Sequence, residues 1–319
     1  MLIHNMECGR KKTCLMVPCQ QFNLDTIANM SLFYRAAGYK VRLNRSLSRI
    51  HPDLLVILDG GYRRALSLFA GIVHIYARAD ELNISWDAEF PNANKIIIIS
   101  PLPYLFKSSR LVHIRSYLPV IPSLWQIPFQ KDYHKFVYIA NYQPIGDDSY
   151  QCDLLQLIQK GLVKAFGAHW DKINVPTQQL THHETNQMLG HSFSCYSLMH
   201  PSQRGRHISS RMWKAPINGC FVFSEVGTNI YDCPGVVEVD GFTLETIEKE
   251  YPLAACRLLS HESILFWERS TKELSMNLGL SSQFSVPPKQ IRAMKRKLYY
   301  QHLCAVLIRI IKNFVFMST

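Results

Sequence analysis

The sequence predicts two α/β domains in series, each built on a parallel sheet covered by helices on both faces. Three observations carry that expectation. Short apolar runs alternate with helical signals along the chain. The runs are apolar on both faces, as strands buried between two helix layers are. And 319 residues exceed one ordinary core, at roughly 100–200 residues per domain. With 47% hydrophobic and 18% charged residues the chain belongs among globular sequences, not disordered ones.

In order, TCLMVP (13–18) reads as a buried strand, and NLDTIANMSLFYRAAG (23–38) as an amphipathic helix with Gly38 as its stop. YKVRLN (39–44), DLLVILD (53–59), IVHIYA (72–77) and KIIIIS (95–100) continue the strand series, with GYRRALSLFAG (61–71) as a helix between them. His74, inside an apolar run, reads as a core histidine. The proline-punctuated stretch 101–129 reads as a linker, placing a domain boundary near residue 130.

The second series runs through KFVYIAN (135–141), a helix in 150–161, LVKAFG (162–167), THHETNQMLG (181–190), SFSCYSLMHP (192–201), CFVFSE (220–225) and VVEVDG (236–241), with helices over 243–255 and 259–275. The expected division is therefore 1–130, 131–284 and a tail, 285–319, set off by SVPPK.

Charge is unevenly spread. From Ser285 onward there are seven Lys/Arg and no Asp or Glu, so of the net +11 only +4 belongs to residues 1–284 (28 basic, 24 acidic). The tail is basic first and apolar later, with Leu303, Val306, Leu307, Ile310, Ile311 and Phe314 at helical spacing. Two readings stay open: an amphipathic helix over residues 289–316 lying on a membrane surface, or a C-terminal helix docked on the protein's own core. A nucleic-acid partner is not expected, because the basic face lacks interleaved aromatics. Nine cysteines in no CxxC pair fit a reducing, cytoplasmic setting, with peripheral attachment to the inner face of the plasma membrane under the first tail reading. No signal peptide or membrane span is expected.

The stretch HISSRMWKAPINGCFVFSE (207–225) concentrates the chemistry. Ser209 and Ser210 suit a helix start, whose free N–H groups can receive a phosphate. Arg211 in the first turn opposes the helix dipole unless an anion binds there, and Arg204 and Arg206 precede it. Glu225 and Gly227 follow a buried strand, where α/β sheets hold ligands and a sugar hydroxyl could be received. Asn141 and Tyr142, and Gly167 to Trp170, end the first two strand signals of the second domain and are nucleotide-contact positions on the same rule; a core role suits Trp170 equally. In the first domain Asp59, Gly60 and Gly61 follow a strand, and Asp59 and Asp80 are candidates for a general base.

YIAN (138–141), FGAHW (166–170) and SSRMWKAPINGCFVFSE (209–225) together resemble the donor half of GT-B glycosyltransferases, more narrowly the bacterial group related to the CgeB spore-maturation proteins. The resemblance spans residues 135–250. It implies two Rossmann-like domains facing a cleft, with the acceptor held by the first and a nucleotide-sugar donor by the second. It further implies a sugar transferred to a cell-surface glycan or lipid-linked acceptor, with Arg211 and Lys214, then Arg206, countering the leaving phosphate, and with no metal or cofactor besides the donor. Lys214 departs from that pattern, which has glutamate there. A catalytically silent nucleotide-sugar or glycan-binding protein of the same fold is therefore the alternative.

Several motifs lead nowhere. HHETNQ (182–187) has Gln187 where a zinc protease needs its second histidine, and no phosphate-binding GxxxxGK[ST] occurs. Asp87 and Glu89 in WDAEF have a metal-diphosphate spacing without its context, and GDDSYQCD (146–153) reads as a helix entry.

Overall fold

A computed structural model describes residues 12–17, 24–43, 52–58, 66–77, 79–131, 136–201, 204–205, 209–248 and 251–317, with the backbone alone at 79–80, 247–248 and 310–317. The chain divides into two compact units, Met1–Val120 with Ser270–Pro287, and Ile121–Arg269 with Pro288–Thr319.

The first unit holds a six-stranded, wholly parallel sheet. Its strands are β1 (Thr13–Val17), β2 (Lys40–Leu43), β3 (Leu54–Leu58), β4 (Ile72–Tyr76), β5 (Lys95–Ser100) and β6 (Leu111–Arg115), in the order β2-β1-β3-β4-β5-β6. Helix α1 (Leu24–Ala36) joins β1 to β2 and ends at Gly38, whose φ of +91° is the left-handed backbone that glycine adopts freely. Strand β6 lies inside the stretch expected to be a linker. It escapes pattern reading because it is an edge strand with only Ile114 buried, so LVHIR shows neither a buried run nor a clean alternation. The expected helix start at 61–65 lies outside the described residues.

His74 is buried, as its apolar setting suggests. Its Nδ1 lies 2.7 Å from the Tyr34 hydroxyl, which also meets the Tyr76 hydroxyl at 3.0 Å. Burial first, then the charge of Lys95, lower its pKa to about 3, so the ring is neutral.

WDAEF is not a strand. Helix α2 (Trp86–Glu89) sends Asp87 and Glu89, two positions apart, to different sides, and Asp87 pairs with Arg110 at 2.7 Å and Ser108 at 3.0 Å.

The second unit holds β7 (Phe136–Ile139), β8 (Lys164–Phe166), β9 (Ser194–Ser197), β10 (Phe221–Glu225) and β11 (Val236–Val239), all parallel, in the order β11-β10-β9-β7-β8. Alternate strand residues serve opposite faces. Phe136, Tyr138, Tyr196 and Phe223 pack with Leu154 and Leu157 of α4 (Ser149–Gln159). Val137, Cys195 and Val222 pack with Leu189 of α5 (His182–His191) and Met212 and Ala215 of α6 (Arg211–Ile217). This is the two-faced cover that the apolar runs predict. Asp148 caps α4 through the Gln151 N–H, at 3.0 Å, as an acidic helix entry should.

Helix α3 (Pro122–Trp125) precedes this sheet; α7 (Leu244–Glu248), α8 (Leu253–Asn277) and α9 (Pro288–Met317) follow it. HHETNQ opens α5 in a capping box of Thr181 and Glu184, so its glutamate serves the helix start. No helix among the described residues is long and apolar enough to cross a membrane.

Candidate functional site

The strand order of the second sheet creates a switch point. From β7 the chain moves outward to β8, then crosses back to place β9 on β7's other side, so the connections leaving β7 and β9 diverge. Ligands in open α/β sheets bind at such a point, outside the carboxyl ends of the strands.

Arg211 occupies it. Its guanidinium donates from Nη1 to the Ile139 carbonyl and from Nη2 to the Leu198 carbonyl, at 3.3 Å, and lies 5.5 Å from the Tyr138 ring centroid. It thereby ties the last carbonyl of β7 to the one just past β9, holding a fixed cation at the sheet edge. Its Nε is buried and has no partner among the described residues.

Glu225, the last residue of β10, is fully buried. Its Oε1 accepts from the Met199 N–H at 2.7 Å and from Arg204 Nε at 3.3 Å, while Oε2 is buried with no partner among the described residues. Arg204 also donates to Asp148 at 2.6 Å and stacks 5.2 Å from the Tyr150 ring, so one guanidinium in the segment after β9 links the segment after β7 to the end of β10. Burial pushes the Glu225 carboxyl above the ordinary carboxylate range, and the Met199 N–H and Arg204 oppose this without cancelling it. Ser197, last in β9, adds a third buried polar atom without a partner among the described residues, its Oγ. Its register neighbour Ser224 differs, since the Ser224 Oγ accepts from Thr228 at 2.9 Å. Buried polar groups are normally satisfied, and these three atoms, without a partner among the described residues, lie at the carboxyl ends of β9 and β10 and at the start of α6.

The expected nucleotide-contact residues collect at the same edge. The Asn141 Oδ1 accepts from the Ala168 N–H at 2.9 Å, and the Tyr142 N–H donates to the Ala168 carbonyl at 2.9 Å, so the segments beyond β7 and β8 stay paired. Gly167, at φ +142°, fits there because a Cβ would lie 2.1 Å from the Ala140 carbonyl oxygen. Trp170 is a core residue: it is 2% exposed, donates to that same carbonyl at 2.8 Å and packs edge-on against Tyr138. Gly227 takes φ +78° in the turn after β10.

The helix start departs from its expected form. Ser210 is already in helical backbone and caps nothing with its side chain, whereas the Ser209 Oγ accepts from the Arg211 N–H at 3.3 Å. The largest correction concerns Lys214. Instead of facing a phosphate it is 1% exposed, with Nζ 4.4 Å from the Trp125 ring and 5.7 Å from the Trp213 ring. At the fourth position of α6 its side chain turns to the face that packs on α3. Arg206, Asp59, Gly60 and Gly61 lie outside the described residues, and only the backbone of Asp80 is described, in a 3₁₀ turn.

Sequence reading placed Asp148 at a helix entry but missed its pairing with Arg204, missed the roles of Ser197 and Met199, and left Arg204 as one of several cations. The available signal was positional, since Asp148, Arg204 and Glu225 each follow or end a strand of one parallel sheet.

No protein-family model matches the chain, and no curated protein matches its sequence. Solved structures do. HepE from Anabaena, determined with UDP and glucose, aligns with a TM-score of 0.52 at 10% identity, covering 85% of this chain and 100% of its own. AviGT4, a glycosyltransferase involved in avilamycin A biosynthesis, aligns with a TM-score of 0.51 at 11% identity, covering 90% of this chain and 99% of its own. The chain has the GT-B fold. Two Rossmann-like sheets in series, the GT-B arrangement, account for both parallel sheets here. At 10 and 11% identity the kinship lies in the chain path, so the cluster at the GT-B chain's second sheet rests on its own residues.

Proposed function

We propose that the chain is a glycosyltransferase that takes its sugar from a nucleotide donor bound at the carboxyl edge of the second sheet. The observation that carries this reading is the trio of buried polar atoms at the switch point that have no partner among the described residues: Ser197 Oγ, Arg211 Nε and Glu225 Oε2. They offer an anionic acceptor and two donors, the complement of a ribose or sugar hydroxyl beside a phosphate. Glu225 Oε2 receives a hydroxyl. Arg211, held on the Ile139 and Leu198 carbonyls, stabilises the charge that develops on the departing diphosphate, beside the Ser209–Ser210 turn. A cation fixed in advance costs no reorganisation when the bond breaks. Because HepE was determined with UDP and glucose, a UDP-sugar is the first donor to test. The acceptor is a cell-surface glycan or its lipid-linked precursor, deprotonated by Asp59 or Asp80, with Gly60 and Gly61 allowing close backbone approach.

One observation favours a second reading, a donor-binding protein without turnover. Lys214 stands where the resembling enzymes have glutamate, and it is sequestered against two tryptophans. Calorimetric titration of the full chain with UDP-, GDP-, CMP- and dTDP-sugars, beside donor hydrolysis, separates the readings. Binding of one nucleotide with slow hydrolysis supports the transferase; binding with no turnover, even with acceptors, supports the silent protein; no binding by any nucleotide ends both.

A further inference from the structure

Helix α9 turns an apolar stripe to solvent in the described part of its second half, residues 303–309. Its inward side mixes apolar residues, the buried Met294 and the half-buried Leu298 and Val306, with polar ones. The His302 Nδ1 meets the Thr181 hydroxyl at 2.9 Å, Lys295 donates to the Gln126 carbonyl at 3.3 Å, and Arg309 grips both oxygens of Glu184 at 3.2 and 3.4 Å. The outward side is apolar. Leu303, Leu307 and Ile308 are 37, 57 and 55% exposed, and Tyr300, one turn earlier, is 64% exposed. A helix docked only to close its own core would turn Leu307 and Ile308 inward and Arg309 to water. Here the one described cation of the apolar half, Arg309, faces the protein, and the leucines face out.

The same outward face is cationic one to three turns earlier. Ala293, Arg296, Lys297, Tyr300, Cys304 and Ile308 line one shallow groove along the helix. No Asp or Glu occurs from residue 285 onward. A second copy of this chain would bring like charges together on that face. A partner that accepts apolar side chains and supplies negative charge next to them suits it better.

We propose that the outward face of α9 is a docking surface for an anionic lipid bilayer, with Tyr300, Leu303, Leu307 and Ile308 entering the acyl boundary and Arg296 and Lys297 meeting lipid phosphates. The helix lies on the bilayer and does not span it. This surface stands on α9 alone and does not depend on the donor-site reading, because vesicle binding is measured without any nucleotide.

The test is co-sedimentation of the full chain with vesicles of phosphatidylcholine, and of phosphatidylcholine containing phosphatidylglycerol. Binding should appear with the anionic vesicles and weaken as salt is raised. The paired substitution Leu307→Ser with Ile308→Ser keeps every charge and should abolish it. Arg296→Gln with Lys297→Gln should weaken it about 30-fold, taking the usual contribution of a juxtamembrane cation. Both pairs are exposed, and unchanged thermal unfolding confirms that the fold is kept. Undiminished binding by the serine pair would overturn the proposal, since general positive charge would then suffice. Equal binding to neutral vesicles, or concentration-dependent dimerisation without vesicle binding, would also overturn it.

Discussion

Oε1 of Glu225 holds the Met199 N–H and Arg204, while Oε2 has no partner among the described residues, and Glu225→Gln should separate the structural role of the one from the proposed ligand role of the other. The amide oxygen can keep the Met199 N–H that Oε1 holds at 2.7 Å. What is lost is negative charge beside Arg204 Nε at 3.3 Å, and what is relieved is the burial of a carboxylate. A charged hydrogen bond exceeds a neutral one by about 1 kcal/mol, and the relief is of similar size and opposite sign. Stability at neutral pH should therefore change by less than about 1 kcal/mol. The glutamine then turns its amide nitrogen to the place of Oε2, replacing an anionic acceptor with a neutral donor. Nucleotide-sugar affinity should fall about tenfold, which is about 1.4 kcal/mol. Glu225→Ala strands the Met199 N–H and should cost about 3 kcal/mol in stability. The sign with pH follows from the raised carboxyl. Below the ordinary carboxylate range both folded and unfolded chains hold the proton and nothing is lost. As pH rises through the elevated folded value, the fold increasingly carries a cost that Glu225→Gln lacks. Urea unfolding across pH and calorimetric nucleotide titration read both effects. Strong destabilisation by Glu225→Gln, or unchanged nucleotide affinity, would refute the assignment of separate roles to the two oxygens.

His74 should make the protein acid-sensitive. Between the ordinary value of 6.5 and the buried value of about 3 the unfolded chain holds a proton that the fold does not, so stability is full above that window and falls within it. The slope is about 1.4 kcal/mol per pH unit, and the urea midpoint of His74→Gln should show a correspondingly weaker decline between pH 6 and 4. Gly167→Ala places a Cβ on the Ala140 carbonyl oxygen in backbone that suits glycine, and should cost about 3 kcal/mol or more by thermal unfolding while weakening nucleotide binding. Lys214→Met keeps the volume between Trp125 and Trp213, loses the cation–π contacts and should cost about 1–2 kcal/mol. Its nucleotide affinity should stay within about twofold of the parent protein, where a phosphate role would demand a loss of tenfold or more.

The sequence by itself determined the two-sheet α/β plan, because parallel strands buried on both faces must be apolar at every position, and KIIIIS and LLVIL say so without any partner in view. It also determined that Glu225, Asn141 and Gly167 stand at strand ends, since each directly ends or follows such a run. Strand β6 stayed hidden because an exposed edge imposes no apolar pattern on its residues. Tertiary structure alone decided the rest. Whether Lys214 meets a ligand or a tryptophan depends on which face of α6 packs on α3, and local sequence does not encode that choice. The Arg204 link between Asp148 and Glu225 joins residues 56 and 21 positions apart, and only the strand order β10-β9-β7 brings them together. The direction of Arg309 was settled in the same way. A periodic pattern fixes which side chains share a face, while packing against the rest of the unit, which buries Met294 and pairs Arg309 with Glu184, fixes which face turns inward.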